Sequence, residues 1–253
     1  MDKQLFLYPM FEPHKNIIAF STTKQTFLHP APRFTGASPD IFTENRKKLA
    51  NVLGINANQL VFPRQTHTNC VVEIYETPEN EINETDALLT NKPGICLCVQ
   101  TADCVPILLF DPVEKVIAAV HAGWRGTVKR ITEVAVQKMI TKFGTSAGNI
   151  LAVIGPSISP DVYEVGNEVV EEALKNIPQA EETLHKNKFG KFHFNLWEAN
   201  QQILMNCGVN SKNIEIAGEC SFTKTEKYFS ARRDGADTGR MVSGIMMNNG
   251  VTE

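Results

Sequence analysis

Two apolar runs, Val105–Phe110 and Val116–Val120, flank the polar turn Asp111-Pro112-Val113-Glu114 and read as an antiparallel hairpin. Paired positions in such a hairpin keep a constant index sum. Folding about Pro112-Val113 pairs Asp111 with Glu114, an index sum of 225, and the same sum sets Cys104 opposite His121. Directly opposed residues have Cβ atoms about 5 Å apart, close enough for a thiol and an imidazole to share a metal ion or to act as nucleophile and base. Pro106 restrains this pairing, since proline is tolerated at edges or irregular points of a strand. The plain alternative is a buried thiol beside a core histidine. The flanks argue against it: Asp103 precedes the cysteine, and the polar, glycine-rich Ala122-Gly123-Trp124-Arg125-Gly126-Thr127 follows the histidine.

Bulk properties exclude several classes. With 253 residues, 42% hydrophobic and 21% charged, the chain has the composition of a globular protein with a substantial core. A net charge of -3 gives no electrostatic case for nucleic acid or an anionic membrane. The start, Met1-Asp2-Lys3-Gln4-Leu5, lacks the apolar region of a signal peptide, and no apolar run is long enough to span a bilayer, so the expected location is the cytoplasm. There the six cysteines are expected as thiols, and no Cys-x-x-Cys occurs. Cys96 and Cys98 lie in a strand-like run, pointing to one face of the core.

Local signals predict helices near 39–53 (Ser38 cap, Gly54 stop), from a Thr127 cap to Phe143, at 167–176, and at 196–206 behind an Asn195/Glu198 capping box. Strands are expected at 59–63, 70–75, 95–100, 104–110, 116–121, 151–154 and 214–217. Strands interspersed with helices imply a mixed α/β (α+β) fold, one domain over residues 1–253 with a central mixed sheet flanked by helices.

Three further segments carry chemistry. In Arg64-Gln65-Thr66-His67-Thr68, His67 leaves a strand at a polar exit, as His121 does. Two histidines and one cysteine form a catalytic zinc set with one coordination position open. Arg125, in the strand-to-helix turn Gly123–Thr127, can clamp an anion or simply decorate a tight turn. The tail Phe229-Ser230-Ala231-Arg232-Arg233-Asp234-Gly235-Ala236-Asp237-Thr238-Gly239-Arg240 is either a surface loop or an anion-binding lid, with Arg233 its candidate ligand. Gln65 is a candidate substrate contact. His14, His29, His185, His193 and Cys220 read as structural or exposed.

Taken together, Gln65-Thr66-His67, Thr101-Ala102-Asp103-Cys104-Val105-Pro106 and Val120-His121-Ala122-Gly123-Trp124-Arg125-Gly126 resemble the YfiH family of purine nucleoside phosphorylases, once labelled polyphenol oxidase or laccase-like. Gly155-Pro156-Ser157-Ile158, Tyr163-Glu164-Val165, Phe194-Asn195-Leu196-Trp197 and the tail from Cys220 to Arg240 extend the likeness. The family often has Tyr at the position of Ala231 and Asp at that of Asn195. The resemblance implies a YfiH-like mixed α/β domain with zinc on His67, Cys104 and His121. It also implies phosphorolysis of adenosine, inosine, guanosine and methylthioadenosine to base and ribose 1-phosphate, with adenosine deamination as a companion activity. Arg46 falls at a family position associated with phosphate, and Asp103 either steers protons or supports the neighbouring ligand.

Other readings stay open. A metal-free hydrolase or amidase, with Cys104 as nucleophile and His121 as base, fits the facing pair equally well; removal of wrong residues from cell-wall precursors is one role of that kind. Copper-dependent phenol oxidation is disfavoured, because six histidines without a His-x-His pair are too few for a multicopper site. A non-catalytic binding protein is hard to reconcile with intact candidate ligands.

Overall fold

The structure, a computed structural model, describes residues 4–27, 31–35, 39–79 and 81–248, the side chains of 39–41 excepted; Ser38 and His29 lie outside these residues. Two mixed β-sheets lie face to face. The first runs β1 (Leu5–Leu7), β2 (Ile17–Thr22), β14 (Met241–Met247), β6 (Cys96–Thr101) and β3 (Leu60–Val61). The second runs β13 (Ile214–Ile216), β9 (Leu151–Ile154), β7 (Val105–Asp111), β8 (Val116–Ala122), β5 (Ala87–Thr90) and β4 (Val71–Glu73). A small third sheet orders β10 (Glu164–Val165), β12 (Phe192–Phe194) and β11 (Leu184–Lys186). The helices are α1 (Pro39–Leu53), α2 (Trp124–Val128), α3 (Ile131–Phe143), α4 (Asn167–Asn176), α5 (Ala180–Thr183), α6 (Leu196–Asn206) and α7 (Ala231–Asp234). None of them is long and apolar enough to cross a membrane.

The period of two along a strand sorts the core into layers. Leu108, Phe110, Ile117 and Ala119 face the first sheet, where they join Leu97, Val99, Ile245 and Met247. Their neighbours Ile107, Leu109, Ala118 and Val120 face the opposite way, onto Ile131, Ala135 and Met139 of α3 and Ile203 of α6. Strands buried on both faces need no polar alternation, which is why β7 and β8 are nearly unbroken apolar runs. On the far side of the first sheet, Leu49 and Ala50 of α1 pack with Phe20, Val242 and the Cys96/Cys98 pair, whose thiols are buried as expected.

The mixed α/β class is as expected, with the central sheet resolved into two layers. The spans expected for α1, α4 and α6 are observed. Asn195 Oδ1 accepts from Glu198 N at 3.2 Å, but the reciprocal half of the capping box is not formed, since Asn195 N donates to the Thr183 carbonyl at 2.7 Å. Thr127, however, is not an N-cap. It lies inside the short α2; Arg130 then takes a left-handed φ of 56°, and α3 begins only at Ile131. The Thr127 hydroxyl instead accepts from Asn200 Nδ2 of α6 at 3.0 Å. Strands β1, β2, β5 and β14, and all three strands of the small third sheet (β10, β11 and β12), escaped the local signals. Of these, β14 is central to its sheet and buried throughout, so it shows no period-two pattern.

Phe110, 1% exposed, fills the space between the sheets with its ring 6.4 Å from Phe11 and 5.2 Å from His14. Phe110→Ala is expected to lower unfolding free energy by about 3–5 kcal/mol through lost burial and the remaining cavity. Urea denaturation followed by circular dichroism checks this.

Candidate metal centre

His121 is the penultimate residue of β8 and is 3% exposed. The observed register sets it opposite Pro106 rather than Cys104. The reason lies in the turn, which is four residues long and not two: Pro112 to Lys115 connect the paired Asp111 and Val116, and Lys115 adopts a φ of 55°. Asp111 Oδ1 caps the turn by accepting from the amides of Val113 (2.8 Å) and Glu114 (3.3 Å). Cys104 therefore stands just before β7, in a bend where Asp103 has a φ of 95°. Pro106 is tolerated because the β7–β9 ladder begins only at Ile107.

Continuing the register beyond the strand ends sets Gly123 across from Cys104. A Cβ there would lie 2.8 Å from Cys104 Sγ and 3.1 Å from His67 Cδ2, so only glycine leaves room for the three side chains to converge. Converge they do. One ligand atom each from His67, Cys104 and His121 lies within 4.8 Å of the others. The imidazoles meet edge to face at 4.9 Å, and His67 Nε2 is 3.8 Å from Cys104 Sγ. Among the described residues this is the one such grouping of three or more His, Cys, Asp or Glu side chains.

The residue that assembles the group is Asp86, which no sequence signal singled out. It is fully buried at the start of β5. Its Oδ1 meets His121 Nδ1 at 2.8 Å and accepts from His67 N at 3.0 Å. Its Oδ2 accepts from the amides of Thr66 (3.2 Å) and Thr68 (2.7 Å) and from the Thr68 hydroxyl (2.8 Å). Burial pushes this carboxyl's pKa up, but the His121 contact and the Thr68 donors outweigh it and hold the group far below the usual carboxylate range. With Nδ1 engaged, His121 presents Nε2 to the centre, the arrangement in which a carboxylate orients a metal-binding histidine. Burial also opposes a charged Cys104, yet His121 and His67 beside it bring the thiol down to about 6. For His121, burial is outweighed by Cys104 and Asp86, which raise it to about 9. A thiolate and two imidazoles, with a glycine clearing the space between them, fit a zinc-type ion.

The centre opens into a cavity of 340 Å³, whose walls include Gln65, Gln100, Thr101, Arg33 and Arg240. A smaller cavity of 90 Å³ lies on another side of His67 and Cys104, bounded by Asp103, Trp124, Arg125 and Tyr163.

Residues 33–248 match the family model described as multi-copper polyphenol oxidoreductase laccase. A purine nucleoside phosphorylase of Bacteroides thetaiotaomicron is 37% identical over 98% of this chain and 97% of its own. An adenosine deaminase, RL5, from an unknown prokaryotic organism is 41% identical over 79% of each chain. Among solved structures, YlmD from Geobacillus stearothermophilus aligns with a TM-score of 0.90 at 26% identity, covering 98% of both chains. The chain belongs to this family.

Against that family background, the other expected site residues separate. Gln65 lines the larger cavity while its amide pairs with the backbone of Gln100, at 2.7 and 2.8 Å. Arg46 is not among the residues lining either cavity. Its Nε and Nη2 both donate to the Phe34 carbonyl, at 2.9 and 2.6 Å, and its guanidinium covers the Phe62 ring. Arg125 stacks on Trp124 at 4.2 Å and faces the smaller cavity. Arg233 points away from both: it donates to the carbonyls of Ser221, Phe222 and Tyr228 and forms a two-bonded pair with Asp234, which leaves little for a ligand. Asp103 is likewise engaged, accepting from the hydroxyls of Ser221 (2.6 Å) and Ser230 (3.0 Å) and from Arg232 N (2.7 Å). These bonds tether the tail to the Asp103 bend. The tail does close over the cavity, through Ala231, Ala236 and Arg240. Cys220 is buried and accepts from Ser159 N at 3.4 Å, as a structural cysteine does.

Two outcomes are expected. Asp86→Asn protein, shown to be folded, binds zinc about 10–100-fold more weakly in a competition titration with a chromophoric chelator. In metal-stripped wild-type protein, alkylation of Cys104 by iodoacetamide rises with pH through a midpoint near the depressed value of about 6, well below that of an unperturbed thiol. Mass spectrometry against pH reads this directly.

Proposed function

We propose that the protein is a zinc-dependent purine nucleoside phosphorylase that also deaminates adenosine, with the whole chain serving as one catalytic domain. The observation that carries this reading is the His67–Cys104–His121 group with Asp86 behind it, opening into a cavity walled by amides and arginines. Relatives named purine nucleoside phosphorylase and adenosine deaminase support it. Zinc bound there would supply Lewis-acid activation of water near neutral pH.

The chain's own groups prepare both reactions. Asp86 fixes the His121 ring and, through three backbone amides, the loop that carries His67. In deamination, water adds at purine C6 and ammonia leaves. In phosphorolysis, a phosphate oxygen bonds to the anomeric carbon, the C1′–N9 bond breaks, and its electron pair leaves with the purine, which takes up a proton. On this reading Gln65 and Gln100, which line the cavity beside Thr101 and Ala102, would face a polar substrate edge.

A second reading has support in the order Asp86–His121–Cys104, an acid, a base and a nucleophile in sequence, as in cysteine hydrolases. It leaves His67 without a chemical task. A multicopper oxidase finds less support, because a single three-residue group occurs among the described residues.

The deciding experiment incubates zinc-loaded protein with adenosine, with and without phosphate, and separates the products. Phosphate-dependent adenine with ribose 1-phosphate, and phosphate-independent inosine, are expected. Folded Cys104→Ala protein is expected to lose zinc and at least 100-fold of both activities. Retention of zinc and full turnover by that variant overturns the reading, and an acyl adduct trapped on Cys104 favours the hydrolase.

A further inference from the structure

Arg33 and Arg240 enter the larger cavity from opposite ends of the chain. Each is half-buried, and neither forms an ion pair with a described carboxylate. Their segments are joined by a backbone bond from Arg240 N to Pro32 O (3.0 Å), and both guanidiniums donate to the Ala236 carbonyl, at 2.8 Å from Arg33 and 3.0 Å from Arg240. Arg240 also donates to the carbonyls of Thr238 and Gly239. Two fixed cations sharing one acceptor repel each other. Burial first, then Arg33 as the nearest positive neighbour, brings Arg240 down to about 10, although Cys104, Asp103 and Asp237 pull the other way. An anion held between the two guanidiniums would relieve this repulsion.

The segment bearing Arg33 is also held with unusual care. Asn45 Nδ2 donates to the Arg33 carbonyl (2.9 Å), Arg46 holds the Phe34 carbonyl with two bonds, and Gln100 accepts from Phe34 N (3.0 Å) while donating to Thr35 Oγ1 (2.8 Å). Thr35 and Gln100 both line the cavity. Side chains on α1 and β6 thus position a short loop whose exposed product is the Arg33 guanidinium.

We propose that Arg33 and Arg240 form the cradle for the inorganic phosphate co-substrate, and that Arg46 is a positioning residue for Arg33 rather than a phosphate ligand. The assignment rests on the phosphorylase reading above. Arginine forks match phosphate oxygens in pairs, and two of them neutralise a dianion beside the anomeric carbon without any lysine. Gln100 and Thr35 supply uncharged wall contacts.

The test uses zinc-loaded wild type, Arg33→Met and Arg33→Lys, with Arg46→Lys as the positioning probe. In inosine phosphorolysis, Arg33→Met is expected to raise the KM for phosphate at least tenfold while the KM for inosine moves less than threefold; Arg33→Lys recovers part of the loss. Arg46→Lys raises the phosphate KM less than Arg33→Met does. Titration with inorganic phosphate alone, followed by 31P NMR, is expected to show binding to wild type that Arg33→Met weakens. An unchanged phosphate KM in Arg33→Met, or equal rises in both KM values, overturns the cradle. So does a nucleoside 5′-monophosphate whose binding weakens in Arg33→Met while the phosphate KM stays fixed. If wild type binds phosphate in an Arg33-dependent way yet performs no phosphorolysis, the cradle stands and the nucleoside reading falls.

Discussion

The site depends on one buried carboxylate. Removing an ionised aspartate from water is costly unless every lone pair finds a donor. Asp86 meets that condition with three backbone amides, one hydroxyl and the His121 ring. Each charge-assisted bond of this kind contributes about 1.5–3 kcal/mol, so the loop 66–68 and the end of β8 are locked to the start of β5 as one unit. The backbone adds a further link, His121 N to the Asp86 carbonyl at 2.8 Å. Remove that carboxylate and His67 loses its backbone anchor while His121 loses its orientation.

Around that anchor the fold works by exclusion. Gly123 keeps the space across from Cys104 free of side chain, and the Asp103 bend turns the thiol towards the histidines instead of along the strand. The same Asp103 draws Ser221, Ser230 and Arg232 inward, bringing the C-terminal segment over the cavity. From the other end of the chain, residues 33–35 are held against β6 and meet that segment at Arg240. Both ends of the chain thus wall the chamber that Cys104, His67 and His121 also line.

Several features were legible locally. The Asn195 N-cap, the Pro39 start and Gly54 stop of α1, and the apolar runs of β7 and β8 are encoded within a few residues of where they act. The register of the hairpin was not, because Asp111 caps a four-residue turn that the proline signal made look like two. Strand β14 was missed because a strand buried on both faces carries no alternation, and its Gly244 and Ser243 weaken the apolar run. Arg233 attracted attention by its setting among charges, yet its donors are consumed by backbone carbonyls and Asp234 that only the folded tail brings near.

By itself, the sequence determined the candidate His67, Cys104 and His121 set, its polar strand exits and the family. These three residues sit in short motifs that carry the family resemblance. The tertiary structure decided which groups meet: Asp86 behind the histidines, Gly123 across from the thiol, Arg33 beside Arg240. The physical reason is distance along the chain. A carboxylate at 86 and an arginine at 33 acquire meaning only when sheet packing closes separations of tens to hundreds of residues, and no local propensity records that closure.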